Sequence, residues 1–226
     1  MDREPRPGVR AENSARDRLI RLAAGHPDWA LGFQDEVWWS RTAQPSLSAW
    51  TDGDRPPPRL VEQAVAKEDA DPKAIACYGL LVRRAGPAAA GEWREEAWLR
   101  SVPGRPVSAL TTDYLDWCCE RLAATGKTAL LLVWDNASWH VSQAVRQWIA
   151  EHNRTVRRGE APVRIVNCPL PVKAPWLNPI EPMWAHGKRR VAEPARLLTA
   201  TELIDRVCSD FDCAHEPHLA LPQHAA

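Results

Sequence analysis

Asp35, Asp135 and Glu181 are the residues whose types and positions offer chemistry. If 31–39 is a strand, Leu31, Phe33, Asp35, Val37 and Trp39 share one face, because side chains alternate. An unpaired carboxylate in an apolar row is costly to bury, so Asp35 calls for a counter-ion or a metal. A salt bridge to an arginine, or a register that leaves this face in water, is the plainer alternative. Asp135 follows the apolar run 128–134 and opens DNASWH. A strand tip presents catalytic groups, but an Asx-turn, with Ser138 capping the next helix, is the favoured account of this aspartate taken alone. Glu181 lies in WLNPIEPMW. With Asn178 as N-cap and Pro179 at N1 it would be the acid of a capping box; at a helix start between Trp176 and Trp184 it is also a good metal ligand. Three carboxylates converge only around a cation that offsets their repulsion. Oxygen donors without Cys or His suggest Mg2+ or Mn2+, and two such ions ~3.5–4 Å apart make an in-line phosphoryl-transfer site.

Spacing predicts the elements that must position these acids. A helix is expected over 11–24, then strands over 31–40, 74–82 and 92–100, the last two forming a hairpin around a turn at 86–91. Prolines hold 51–59 as an extended loop. Helical spacing covers 106–125, and 128–134 reads as a strand covered on both faces. Val141, Val145, Trp148 and Ile149 mark an amphipathic helix. A strand at 163–167 and helices at 179–191 and 201–212 complete the chain. This order predicts an α/β fold, a mixed sheet with its first three strands antiparallel and the later ones parallel, flanked by helices. Function in such sheets sits at the carboxyl ends of the central strands.

Composition sets the class. The chain has 226 residues, 45% of them hydrophobic, enough for one large domain or at most two small ones and against disorder as its main state. No apolar run approaches the ~20 residues of a membrane helix, and the charged start has no secretory core. A reducing cytoplasm is therefore the expected location, no membrane partner is expected, and the six cysteines read as buried thiols. Zero net charge hides an asymmetry: 28–71 holds nine acids and four bases, whereas 141–190 holds nine bases and three acids. The second segment suits a nucleic-acid partner.

FQDEVWWSRTAQPSLSAW, LLLVWDNASWH and LPVKAPWLNPIEPMWAHGKRR together resemble the three motif blocks of DDE transposases of the mariner-like insertion-sequence superfamily. The resemblance spans about 28–215. It implies an RNase H-like fold, with Asp35, Asp135 and Glu181 as the catalytic and metal-binding acids. It also implies two divalent ions, Mg2+ or Mn2+, that activate water to nick DNA at element ends and then activate a 3′-hydroxyl for joining to a target. The implied partners are DNA, as transposon ends and target, and a second copy of the chain on DNA. Family members carry helix-turn-helix modules ahead of the catalytic domain, and this sequence begins close to that domain. A truncated copy and one half of a split or frameshifted reading frame are both compatible, the latter with a separately encoded N-terminal DNA-binding half. The domain reading is an N-terminal helical, frayed segment at 1–27, the catalytic domain at 28–215 and a disordered tail at 216–226.

Other residues support the site. Asn136 suits orienting water or making a turn, His140 suits phosphate contact or a helix start, and Asn178 begins the last acid's helix. Lys188, Arg189 and Arg190 are candidates for phosphate contact, as are Arg154, Arg157 and Arg158 in an expected basic loop at 153–161. Trp38, Trp39, Trp139 and Trp148 read as core ahead of base-stacking platforms. Two competing readings remain. One is a remnant without catalysis that binds DNA or oligomerises with full-length enzyme. The other is a two-carboxylate glycosidase, which the third acid and the basic surroundings disfavour.

Overall fold

The computed structural model describes residues 17–18, 20–42, 63–85, 93–102, 104–171, 175–193 and 195–220. Five strands form one sheet: β1 (Trp29–Ser40), β2 (Ala74–Ala85), β3 (Trp93–Val102), β4 (Ala129–Trp134) and β5 (Arg164–Pro169). Their order is β3-β2-β1-β4-β5. β1–β2 and β2–β3 pair antiparallel, whereas β1–β4 and β4–β5 pair parallel. The helices are α1 (Ser108–Ala124), α2 (Gln143–Arg157), α3 (Ile180–Val191) and α4 (Ala200–Asp210). This is the expected mixed sheet flanked by helices, with an RNase H-like fold. Residues 17–18 and 20–24 are helical, as expected there, and Ala23 is buried. The expected loop at 51–59 and turn at 86–91 lie outside the described residues.

Two apolar layers sandwich the sheet. On one face, Leu31, Phe33, Val37 and Trp39 of β1 join Leu131 and Val133 of β4 beneath α3 and α4. On the other, Ala30, Leu130, Leu132 and Trp134 pack with Leu110, Tyr114 and Leu122 of α1 and Val145 and Ile149 of α2. All six residues of β4 are buried, as a strand covered on both faces requires.

Several local expectations need correction. Residues 153–157 are not loop but the last turns of α2. Asn153 holds this end by bonding both the N–H and the carbonyl of Ile165 in β5, at 2.9 and 2.8 Å. The helix stops at Gly159, whose φ of +76° suits a residue without a side chain. Val141 precedes α2 and is exposed; Ser142, not Ser138, caps it by accepting from the Val145 N–H. The tail is ordered as far as 220: Leu219 is buried and its N–H bonds to the Ser101 carbonyl at 2.9 Å. None of the six cysteines forms a disulfide, and Cys168 and Cys213 are only partly buried. Among the tryptophans Trp39 is core, Trp38 is exposed, and Trp139 and Trp148 are half-buried.

Close approach of α3 to the sheet depends on Gly79. A Cβ there would lie 2.4 Å from the Trp184 ring and 3.2 Å from Ile180. Gly79→Ala is therefore expected to cost about 1–3 kcal/mol by overpacking, read by urea unfolding. Gly25→Ala, where the nearest neighbour of a Cβ is 3.6 Å away, is the control expected to change little.

Candidate active site

The parallel register of β1 and β4 sets the level of the first two acids. Trp29 pairs with Ala129 and Phe33 with Val133, an offset of 100 residues. Asp135 follows two residues after the last pair, just past the end of β4, and so stands at the same end of the sheet as Asp35. On the other side of Asp35, directly across the antiparallel pair, lies Gly79. Asp35 sits in the apolar row that alternation predicts and is only 9% exposed.

No arginine satisfies Asp35 among the described residues. Its partner is the Trp184 indole N–H, which donates to Oδ2 at 2.9 Å. That ring reaches Asp35 because it lies over Gly79. Burial, then repulsion from Glu181 and Glu36, push the Asp35 carboxyl up to about 7, against the pull of the Trp184 bond.

Glu181 lies in the first turn of α3, and among the described residues no bond from its side chain caps that start. Asn178 serves both sides: its Oδ1 accepts from the Ile180 N–H at 3.5 Å. Buried at 1% exposure, it donates to the Gln34 carbonyl at 2.9 Å and so pins the start of α3 beside Asp35. Glu181 is raised by burial and then by Asp135, with Lys188 and Asp35 pulling it back. Asp135 makes the expected Asx-turn, its Oδ1 accepting from the Ala137 N–H at 2.9 Å. The same oxygen meets His140 Nδ1 at 2.8 Å. The His140 bond, then the Ala137 N–H, hold Asp135 below the usual carboxylate range against partial burial.

His140 is buried and faces carboxylates at both nitrogens, with Nε2 2.9 Å from Glu36. Burial opposes its charge, but the bonds to Asp135 and Glu36 win and lift it to about 9. It therefore carries a proton on each nitrogen at neutral pH. Asn136 donates to the Leu170 carbonyl, which makes it a turn anchor.

An open groove of ≈ 470 Å³ borders Glu181 and is lined by Trp39, Ser40, Trp184, Lys188 and Arg189 among others. Arg190 faces away and pairs with Asp210. Arg154 pairs with Glu151, and Arg158 with Glu160. These arginines and the exposed Arg157 lie in the last turn of α2 and at its C-cap, about 16–22 Å along the helix from its start. The structure thus brings Asp35, Asp135, Glu181, Asn136, His140, Asn178, Lys188 and Arg189 to one end of the sheet, and does not bring Arg154, Arg157 and Arg158 there.

Sequence reasoning missed Glu36, Trp184 as a donor, and Gly79. The adjacency of Glu36 to Asp35 was a usable signal; the other two depend on helix–sheet packing. Among the described residues, no three His, Cys, Asp or Glu side chains stand close enough to hold a metal ion as they are placed. The three acids feel one another electrostatically without closing on a point.

Residues 101–204 match the family model described as DDE superfamily endonuclease. No curated protein matches the chain. A Mos1 transposase paired-end complex with left transposon end is similar in structure, with a TM-score of 0.58 and 15% identity over 95% of this chain and 57% of that chain. A Mos1 mariner paired end complex with Mn gives 0.56 and 16% over 94% and 56%. The catalytic domain of Mos1 mariner transposase gives 0.50 and 14% over 95% and 85%. The chain thus spans little more than half the length of the first two, and most of the third.

The Asp35 shift has a testable sign. Its folded value, about 7, lies above the ordinary 3.8, so the folded state holds the extra proton between these values. Stability is then lost as pH rises from about 4 to 7. Asp35→Asn, neutral and still able to accept from Trp184, is expected to melt higher than wild type in EDTA at pH 8. The gain should be at most about 4 kcal/mol, and the difference should close by pH 4. A lower melting temperature at pH 8 would contradict the electrostatic account.

Proposed function

We propose that this chain, whose residues 101–204 match the model described as DDE superfamily endonuclease and whose fold is like that of a transposase catalytic domain, is the catalytic domain of a DNA transposase, performing divalent-metal-dependent DNA strand cleavage and strand transfer. The observation that carries this reading is the electrostatic coupling of Asp35 to Glu181 and of Glu181 to Asp135 at the carboxyl ends of β1 and β4. Raised proton affinity at Asp35 and Glu181 marks a volume of negative potential, and an all-oxygen donor set fits a hard cation. Asp35, Asp135 and Glu181 would hold two ions, Mg2+ or Mn2+. When bound, such cations supply Lewis acidity at the attacking and leaving oxygens of an in-line phosphoryl transfer.

The chain's own residues supply position and charge. Trp184 and the apolar layer keep water from one side of Asp35. Asn178 holds Glu181 at the mouth. Lys188 and Arg189 line the groove beside Glu181 and contact the DNA backbone there. DNA, as element ends and target, is the substrate; a second copy of the chain on DNA and a separately encoded N-terminal DNA-binding half are the proposed protein partners. The catalytic unit is proposed to cover 28–215, in a cytoplasmic protein; among the described residues no helix is long and apolar enough to cross a membrane.

Asp35→Asn, Asp135→Asn and Glu181→Gln are each expected to abolish Mn2+-dependent nicking of supercoiled plasmid while leaving the circular-dichroism spectrum unchanged. Full activity in any one removes that residue from the site. No nicking by the wild-type chain would favour the remnant that only binds DNA or oligomerises. Lys188→Gln and Arg189→Gln are each expected to lower the slope of log affinity against log salt by about one, whereas Arg157→Gln should leave it unchanged.

A further inference from the structure

Glu36 and His140 lie just outside the acid trio and take no part in the function proposed above. Glu36 follows Asp35 in β1, so its side chain leaves the opposite face of the sheet. There its side chain is only 6% exposed. It meets three donors: Gln34 Nε2 at 2.8 Å, His140 Nε2 at 2.9 Å and the Trp139 indole N–H at 3.0 Å. His140 is fully enclosed, stacked on Trp134 with ring centroids 4.5 Å apart. Its other nitrogen reaches Asp135 Oδ1 at 2.8 Å.

We propose that Glu36 and His140 form a tether that positions Asp135 for a divalent cation. The proposal rests on the reading of Asp135 as a metal ligand. Asp135 stands on a loop past the end of β4 with its side chain 48% exposed, where an unrestrained aspartate would exchange rotamers. Both bonds it accepts fall on Oδ1, from Ala137 and His140. Among the described residues nothing occupies Oδ2, which leaves that oxygen to the site. The imidazole cannot swing away, because Trp134 covers one face and Glu36 holds its far nitrogen. Glu36 in turn is fixed by Trp139 and by the backbone of the central strand. A rigid path therefore runs from β1 to the second acid, and neighbouring residues of one strand serve both: Asp35 as a site acid, Glu36 as the support of another. Ligand-orienting partners of this kind commonly change metal affinity by about 10–100-fold when removed.

The test titrates the wild-type chain, Asp135→Asn, Glu36→Gln and His140→Gln with Mn2+ alone, following free Mn2+ by electron paramagnetic resonance. Melting in EDTA is recorded for each. Glu36→Gln keeps the shape of the side chain but turns an amide toward donors. It is expected to weaken Mn2+ binding by about 10–100-fold while staying folded, and His140→Gln is expected to do the same. Nicking by both should return when Mn2+ is raised, so that the half-saturating concentration moves and the maximal rate does not. If the wild type binds Mn2+, Asp135→Asn loses it, and the folded Glu36→Gln binds as wild type does, the tether is wrong and the acid-trio reading stands. If the wild type binds no Mn2+, or Asp135→Asn binds as tightly, that reading fails and takes the tether with it. Should Glu36→Gln and His140→Gln not fold, Trp139→Phe deletes one donor to Glu36 alone. A several-fold weakening is expected there, and no change overturns the tether.

Discussion

The architecture turns on keeping one carboxylate, Asp35, inside an apolar layer with no cationic side chain beside it among the described residues. An arginine would satisfy the charge but cancel the negative potential. The chain uses a neutral donor instead. Trp184 gives a single N–H to Asp35 and otherwise adds apolar surface, so the carboxyl is oriented without being neutralised. That solution constrains the neighbourhood. The indole must come close to the sheet, which requires Gly79 across from Asp35. The helix carrying it must start at a fixed height, which Asn178 ensures through the Gln34 carbonyl. Trp39 and Phe211 then close around the ring edge-on and at a tilt.

The sheet divides labour between its faces. Alternation in β1 sends Asp35 toward α3 and Glu36 toward the loop that follows β4, so a two-residue sequence addresses both sides at once. The parallel pairing of β1 and β4 puts Asp135, just past the end of β4, at the same end of the sheet as this pair. On one side the carboxylates repel and gather protons; on the other, His140 carries positive charge between two acids. The resulting gradient across the end of the sheet keeps Asp135 ionised while Asp35 is held near neutrality.

Much of this was legible in the sequence, for identifiable reasons. Strand alternation around Asp35 and the unbroken apolar run of β4 are strong local patterns, and they placed the acids at a strand and at a strand tip. The helix starting near Glu181 was legible from proline and asparagine, and Asn178 does stand at that start, its oxygen accepting from the Ile180 N–H while its amide donates to the sheet. What failed depended on distant partners. The segment at 153–161 looks like a basic loop because its residues are charged, but Asn153 finds the backbone of β5 and the helix runs on to Gly159. The tail after 215 carries no periodicity, yet Leu219 completes an edge of the core and bonds to Ser101. Gly79 and Trp184 lie roughly a hundred residues apart in sequence, and no spacing rule links them. Glu36 was in plain view beside Asp35; only the position of His140 gives it meaning.

The central strand is also the first made. β1 occupies the middle of the sheet, and although β2 follows soon after it, its other edge waits for β4 about a hundred residues later. The donor for Asp35 lies 149 residues downstream and the pin at Asn178 is 144 residues from Gln34. Contacts so distant in sequence form late and slow the search for the native state. During synthesis, then, the two acids of β1 emerge without their partners, and the three site acids come together only when most of the chain has been made. A chain cut short before α3 would therefore lack Glu181, the indole that donates to Asp35 and the cover over Gly79 all at once.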